Sequence, residues 1–571
     1  MTASTSRDAD VCVVEVTEPE QLEAFRTLAK TYLSWLGEDL GFQAVDDELD
    51  TLPGVYDTSN RGTLLVATCD GKYAGTAALR PLQGKQADGI EKINGIRVDD
   101  IAELKRLYVD APYQRRGIGE NLTIECIERA RRFGYKAVVC DTLERLRGAN
   151  ALYERIGFKK CLAYSYCPLE GPLHFLFDLS LFKVRCITVF GKPRRLDQVA
   201  QALKEIKACL HDINIEVQME RFSSNVVAER MAEPTEGLIE AARGFEEETF
   251  AAGISTVSLG AIRSRAVVRD PDFLGRLLTQ TSHAFVSVSW GYDEQWGMPE
   301  AISLARAAFL IEDLRAGSNF RFGVSFNCDG KYIPFFPASS WNDDDNDDRG
   351  LSFSIGLENS AMLSHACRCC DSKSSEPLGE VNEQVKRVFS EALLPIEFAC
   401  RSIADRLGID YRGIDTSVAP DLRGNWHDMA KIVSLEDEFQ CGTVAKIDAI
   451  TSALRDVPGI TTVGYRGVML PVLENESLVE ASRRNDLTID KLLLYSTVCG
   501  VGIDVVPLAG GETEPEREAA VRRLACIILD VAAISKRQGK PLSVRVLPCI
   551  GKVTGEATAF ESQYLINGVA M

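Results

Sequence analysis

Apolar residues recur every three or four positions at Leu22, Phe25, Leu28, Ala29, Tyr32 and Leu36. This spacing predicts a helix opened at Thr17 that buries those side chains in a core. Val11 to Val16 alternates and predicts a strand ahead of it. Gly62 to Thr68 and Tyr73 to Leu82 read as two strands around Asp70-Gly71, a dipeptide suited to a tight hairpin turn. Glu103 to Val109 is strand-like through Leu104, Leu107 and Val109, and Asp110-Ala-Pro112 stops it because proline cannot donate to a ladder. Ile118, Leu122, Cys126, Ile127, Ala130 and Phe133 then mark the apolar face of a helix ended by Gly134. On its other face Glu125 with Arg129 and Glu128 with Arg132 are expected i,i+4 pairs, each contributing about 0.3 kcal/mol. Ala137 to Asp141 predicts a buried parallel strand, and Arg147 to Ile156 a short helix closed by Gly157.

The pattern restarts at Val184 without a flexible linker. Val184 to Phe190 and Ile215 to Phe222 read as strands around a helix from Leu196 to His211. Further strands are predicted over Ile254 to Leu259, Ala284 to Ser289 and Val324 to Phe326, with a helix over Met298 to Arg315. Such alternation predicts a parallel α/β architecture.

At 571 residues the chain has room for several domains, and its net charge of -19 argues against non-specific nucleic-acid binding. No apolar run is long enough to span a membrane, and the N-terminus has no apolar leader, so the expected location is cytoplasmic. Seventeen cysteines in such a chain are expected as reduced thiols. His365-Ala-Cys367-Arg-Cys369-Cys370 lacks a second ligand pair at zinc-site spacing, so no metal is expected. Asn342 to Asp348 is acidic but lacks the turn glycine and closing glutamate of a calcium loop, and reads as a solvated loop.

The turn Gln114-Arg115-Arg116-Gly117-Ile118-Gly119 joins the central strand to its helix. Its glycines allow close backbone approach, and the helix N-terminus offers unpaired N–H groups to a pyrophosphate. Arg115 and Arg116 would either add charge-assisted bonds to phosphate or stand as a solvated basic turn. This stretch resembles the acyl-CoA site of the GNAT superfamily of N-acetyltransferases. So does Asn150-Ala-Leu-Tyr153, and the likeness covers roughly Met1 to Phe182. It implies a mixed sheet with helices whose final strand is Leu173 to Leu181, acetyl-CoA as cofactor and a small-molecule amine as acceptor. It further implies that Asn150 steadies the CoA arm and that Tyr153 lies beside the thioester sulfur. The chemistry needs a base, an oxyanion site and an acid. Glu103 would be the general base, or else a structural partner of Lys105 or Arg106. Backbone N–H groups around Leu107, Tyr108 and Val109 would hold the oxyanion where the strand bulges. Tyr153 would protonate the leaving thiolate, or else pack in the core.

From about Phe182 to Met571 the chain resembles the family catalogued as domain of unknown function 711, through Ile333-Pro-Phe-Phe-Pro337, Ile409 to Pro420, Gly464 to Asn475, Leu492 to Asp504 and Lys540 to Lys552. That likeness implies a large α/β barrel similar to pyruvate formate-lyase-type enzymes and carries no activity with it. The expected domains are thus residues 1–182 and 183–571. His283, Glu358, Asp415, Glu474, Cys499, Asp504 and Arg545 lie at or just past strand-like runs, where α/β folds place ligands. Of these, Glu474, Cys499, Asp504 and Arg545 are the favoured candidates, with Cys499 either a nucleophile near Asp504 or a buried thiol. Two functions stand open. In one the chain is bifunctional, its second domain performing another step on the same metabolite. In the other that domain is a non-catalytic ligand-binding or oligomerisation module that regulates the acetyltransferase.

Overall fold

A computed structural model describes residues 11–41, 45–82, 90–192, 195–224, 236–263, 268, 270–291, 297–339, 350–370, 374–420, 429–435 and 438–571. The acidic run 342–348 lies outside them. The described residues fall into two compact units, one ending at Ser180 and the other beginning at Leu181.

The first unit is a seven-stranded sheet in the order β1-β2-β3-β6-β7-β9-β8. Its strands are β1 (Val11–Glu15), β2 (Thr63–Cys69), β3 (Lys72–Pro81), β6 (Ile101–Val109), β7 (Ala137–Leu143), β8 (Lys159–Lys160) and β9 (Pro172–Asp178), with β4 (Lys92–Ile93) and β5 (Ile96–Arg97) as a separate hairpin. Helices α1 (Pro19–Leu36), α2 (Val45–Asp50), α3 (Ile118–Arg132) and α4 (Arg147–Ile156) complete it. Helix α1 begins after Thr17 because Gln21 Oε1 accepts the backbone N–H groups of both Thr17 and Glu18 at 2.8 and 3.0 Å, leaving Pro19 as its first residue. The sheet's two faces bury different helices. Leu65, Ala67, Ala77 and Leu79 meet Leu122, Cys126 and Ile127 of α3, while Leu64, Val66 and Ala78 meet Phe25, Ala29 and Leu36 of α1. This odd-even division is the two-residue period of a strand. On α3 the Glu125–Arg129 pair forms at 3.0 Å, but Glu128 is buried and pairs with Arg131 at 2.7 Å rather than with Arg132, which lies four residues on.

Two irregularities of β6 shape the unit. Against β3, Tyr108 faces Thr76 and Lys105 faces Ala78, so three steps on β6 oppose two on β3. The extra residue is accommodated by Arg106 at φ 54°, and Thr76 Oγ1 donates to Arg106 O at 2.9 Å. Against β7, the parallel ladder covers only Ile101 to Glu103. Beyond Glu103 the two central strands are unpaired with each other, and a cleft opens there.

The second unit is a nine-stranded sheet. Strands β10 (Lys183–Phe190), β11 (Glu220–Ser223), β12 (Thr256–Arg263), β13 (Ala284–Trp290) and β14 (Phe322–Phe326) are parallel, and helices α5 (Leu196–Asp212), α6 (Glu236–Ala251), α7 (Phe273–Gln280) and α8 (Met298–Leu314) connect them in turn. Antiparallel strands flank this group: β15 (Ser352–Glu358) pairs with β10 and β18 (Leu542–Cys549) with β14, each extended by a parallel neighbour, β16 (Asp410–Asp415) and β17 (Gly502–Ala509). The named sheet ends at β16 and β17. Beside β16 runs the segment 461–469, joined by parallel bridges to β16 at Ile414–Thr462 and to the chain just past it at Val418–Val468. Asp415 pins it by accepting the N–H groups of Tyr465 and Arg466 at 2.9 and 3.1 Å. The other side of this segment meets Gly500, just before β17, so closely that a Cβ on Gly467 would lie 2.4 Å from Gly500 N.

Candidate functional site

The cleft between β6 and β7 has a volume of about 780 Å³. Leu107, Tyr108, Val109, Gln114, Arg115, Gly117, Ile118, Gly119 and Tyr153 all line it, together with Tyr32, Trp35, Lys105 and Asp141. Past the bulge Tyr108 and Val109 rejoin the β3 ladder opposite Thr76 and Gly75, while their other side has no β7 partner and faces the cleft. Gly117, at φ 76°, sets α3 so that its first turn faces the same space with N–H groups that have no partner within the helix. A Cβ at Gly119 would stand 3.5 Å from Leu152 and Val109, so a side chain there points into the cleft without a clash. Arg115 and Arg147 line the cleft with no carboxylate partner among the described residues, and both suit a polyanion.

Two expected ligand residues point elsewhere. Asn150 donates to Leu143 O and Glu144 O at 3.0 and 3.3 Å and accepts from Thr142 Oγ1 at 3.1 Å, so its amide staples α4 to β7. Arg116 reaches Asp70 at 3.7 Å and is absent from the lining.

Glu103 is also absent from the lining and is fully buried. Arg80 holds one of its oxygens at 2.8 Å and Lys105 the other at 3.1 Å. Arg80 and Arg106 share Glu48, at 3.4 and 2.8 Å, and Lys105 also reaches Asp141 at 2.8 Å. Three cations and three carboxylates thus balance under the cleft floor, where an isolated charge would be costly. Burial opposes ionisation of Asp141, but Lys105 outweighs it and holds the carboxyl below its usual value. Asp141 is the member of the network whose carboxylate lines the open space.

Tyr153 packs on Phe158 and Phe175 at ring distances of 5.4 and 5.9 Å. Burial raises its phenol well above the usual value, so it stays protonated at neutral pH. Tyr32 is half-buried, packed against the core cluster of α1 and also lining the cleft, where its ring lies 5.7 Å from Tyr108 and 6.4 Å from Trp35.

In the second unit a cavity of about 160 Å³ brings together Glu474, Asp504 and Arg545, with His283 on its wall. Arg545 donates to Asp504 at 2.7 Å and to Glu474 at 3.2 Å. Asp504 is placed by a second bulge, in which Ile503 to Val506 on β17 oppose Val544 to Val546 on β18 and Val505 takes φ 49°. A β-branched residue at positive φ is strained. Burial raises Asp504 above the ordinary carboxyl value, although Arg545 acts against it. Cys499 lies outside the cavity, with its buried thiol on Val468 O. Burial pushes that thiol up, which removes the thiolate a nucleophile needs. Asp415 and Glu358 are likewise absent from the lining.

These features coincide with two family regions. The family described as Uncharacterised ACR (DUF711) matches residues 185–561. The chain belongs to that family. Residues 23–158 match the Acetyltransferase (GNAT) family, so an N-terminal GNAT domain is fused to the DUF711 domain. A UPF0210 protein of Oleidesulfovibrio alaskensis is 26% identical over 211 residues, 36% of this chain and 45% of that protein. One from Methanopyrus kandleri is 29% identical over 181 residues, 31% and 38% of the respective lengths. The chain therefore spans less than half the length of these curated relatives. Among solved structures, a GNAT-family acetyltransferase from Staphylococcus aureus aligns at 17% identity over 30% of this chain and 99% of its own, with a TM-score of 0.24. The PaiA N-acetyltransferase from Thermoplasma acidophilum, solved in complex with coenzyme A, gives 17%, 29%, 98% and 0.23.

Within the GNAT region, sequence reasoning missed Asp141 and Trp35 as cleft residues. Within the DUF711 region it missed Arg185, which reaches Glu474 at 2.9 Å from β10. Its partner lies 289 residues away, and nothing in the local text links the two. No described helix is long and apolar enough to cross a membrane, and among the described residues no group of three or more His, Cys, Asp or Glu is arranged for a metal.

Proposed function

We propose that the protein is an acetyl-CoA-dependent N-acetyltransferase for a small amine with an apolar body. The observation that carries this reading is the convergence, in one cleft, of the β6 bulge and the N-terminal turn of α3. The pyrophosphate lies on the Gln114 to Gly119 turn, with Arg115 as its cation. The thioester carbonyl takes backbone N–H donors from Leu107 to Val109 as negative charge develops on it. An alkylammonium must first lose a proton, since its ordinary pKa is near ~10.4. Asp141, open to the cleft, orients the amine and the water that accepts this proton, while Glu103 holds the cationic floor in place. The neutral amine attacks the carbonyl carbon, the tetrahedral intermediate collapses with cleavage of the C–S bond, Tyr153 protonates the departing thiolate, and the proton that the nitrogen sheds on becoming an amide returns through cleft water to the Tyr153 phenolate.

For residues 183–571 we propose a closed α/β barrel in which the segment 461–469 stands as a tenth strand between β16 and β17. Its interior holds a small molecule at the Glu474, Asp504 and Arg545 cluster. Either it transforms the metabolite that the first unit acetylates or it senses that metabolite.

The test is release of free thiol from acetyl-CoA by the full-length protein across a panel of small amines, with Gly119→Glu as the control. Turnover on no amine, or turnover equal in the variant, removes the assignment.

A further inference from the structure

The cavity of the second unit contains a charge that its own residues leave unanswered. Three buried or half-buried arginines face it: Arg185, Arg221 and Arg545. Glu474 binds Arg185 and Arg545, and Asp504 binds Arg545. Both carboxylates are thereby used. Arg221 pairs with neither. Its guanidinium donates to Pro334 O at 3.3 Å and to the Met219 thioether at 3.4 Å, a weak acceptor. Its Nε–H is buried with no partner, although the residue is only 8% exposed. Burial, with the like charges of Arg185 and Arg545, pulls Arg221 below the ordinary arginine value. A fourth arginine on the wall, Arg321, is not available, for it donates to Thr281 Oγ1, Ala284 O and Leu278 O.

Proteins seldom leave a buried cation and a buried N–H without an acceptor. The rest of the wall narrows what the acceptor is. The Arg221 guanidinium carbon lies 5.0 Å from the Phe336 ring centre and that of Arg545 lies 4.9 Å from Phe320. Phe285 links these two rings at 5.3 and 6.2 Å, and Tyr564 stacks on Phe320 at 5.5 Å. The cavity is thus walled by aromatic rings, Phe285 tilted by 52° and 66° to Phe336 and Phe320, and Arg221 stands in it without a carboxylate partner. At about 160 Å³ it is the size of a void that takes up benzene, roughly 150 Å³.

We propose that this cavity binds a small carboxylate with an aromatic body, whose carboxylate is received by the Nε–H and Nη–H groups of Arg221. A bidentate fork accounts for the unused donors, and an aromatic body finds edge-to-face and offset contacts on the tilted phenylalanine walls. A bare phosphate would satisfy the charge but leave those walls unfilled. The inference deepens the reading that the interior of the second unit holds a small molecule, and it stands apart from the acetyltransferase reading, since every residue it uses lies in the second unit.

The experiment is calorimetric titration of the full-length protein with benzoate, benzyl alcohol and inorganic phosphate, repeated on Arg221→Met and Arg221→Lys. Benzoate is expected to bind the wild type, with benzyl alcohol and phosphate each at least tenfold weaker. Arg221→Met should lose benzoate affinity at least tenfold, Arg221→Lys should keep part of it, and Arg221→Met should melt no lower than the wild type because it removes an unneutralised buried charge. Crystals of the wild type soaked in 4-bromobenzoate locate the anion independently of any variant, through the bromine signal beside Phe336. Absence of benzoate binding, equal affinity in Arg221→Met, equal binding of benzyl alcohol, tighter binding of phosphate, or bromine found only elsewhere would each overturn the proposal.

Discussion

Glu103 and Arg80 meet in a two-point ion pair, with Oε2 2.9 Å from Nε and 2.8 Å from Nη2, both side chains buried. Losing one partner of such a pair strands the other charge, at about 3–5 kcal/mol. Glu103→Gln should therefore lower the melting temperature strongly while leaving the shape of the pH profile of kcat/KM unchanged. A variant of wild-type stability whose activity recovers only at alkaline pH would make Glu103 the base.

Gly119→Glu tests the anion site without threatening the fold, because the added Cβ meets Leu152 and Val109 at ordinary contact distance. Each lost charge-assisted hydrogen bond removes about 1.5–3 kcal/mol, and the new carboxylate repels the ligand. Acetyl-CoA affinity should fall ~100-fold or more. Calorimetry would check this, with circular dichroism to establish that the variant is folded.

Much of this architecture was legible in the sequence, and the parts that were not share a physical cause. The Asp70-Gly71 hairpin follows from local φ preferences, and both residues adopt positive φ, 50° and 74°. The turn into α3 followed from its glycines, and Gly117 takes φ 76° there. Glu128 was misread because spacing alone offers it Arg132 or Arg131, and burial of the side chain decides for Arg131. Tyr32 continues the apolar stripe of α1 and packs on its core, and only the parting of β6 from β7 leaves part of its ring to the cleft as well. Long-range pairing was the least legible feature. Arg185 and Glu474, or Arg545 and Asp504, meet through sheet order, which no window of the chain contains.

If Tyr153 protonates the thiolate, Tyr153→Phe should lower kcat by about 10- to 10⁴-fold with little change in acetyl-CoA affinity. The ring contacts with Phe158 and Phe175 survive the substitution, so the melting temperature should hold. Turnover at the wild-type rate would return Tyr153 to a packing role.

Lys540 donates to Thr497 O and Cys499 O, yet burial pulls its ammonium down from 10.5 to about 8. The unfolded chain keeps this proton up to about 10.5, whereas the folded chain releases it near 8, so between those values the unfolded state binds more protons and stability rises with pH. Below pH 8 the wild type bears the full cost of the buried charge. Relative to Lys540→Met, which has no such group, the wild type should gain stability as pH increases from 8 to 10. Denaturant unfolding of both proteins across that range measures it, and parallel curves would place the Lys540 titration elsewhere.

The acceptor pocket can be tested through Trp35. Its ring is 59% exposed and lies 6.3 Å from Tyr108 and 6.4 Å from Tyr32, so three aromatic faces border the part of the cleft nearest the β6 bulge. An exposed tryptophan contributes little to folding, and Trp35→Ala should leave the melting temperature near that of the wild type. An acceptor resting its apolar body on this ring loses roughly 0.5–1.5 kcal/mol on truncation, equivalent to about a two- to tenfold rise in KM. A contact made equally in the ground and transition states leaves kcat little changed, and acetyl-CoA, if held on the α3 turn as proposed, should keep its affinity. Steady-state kinetics with the acceptor and acetyl-CoA varied separately distinguishes the two substrates. A rise in KM confined to acetyl-CoA would move the aromatic wall to the cofactor, and a fall in kcat alone would place Trp35 against the reacting atoms.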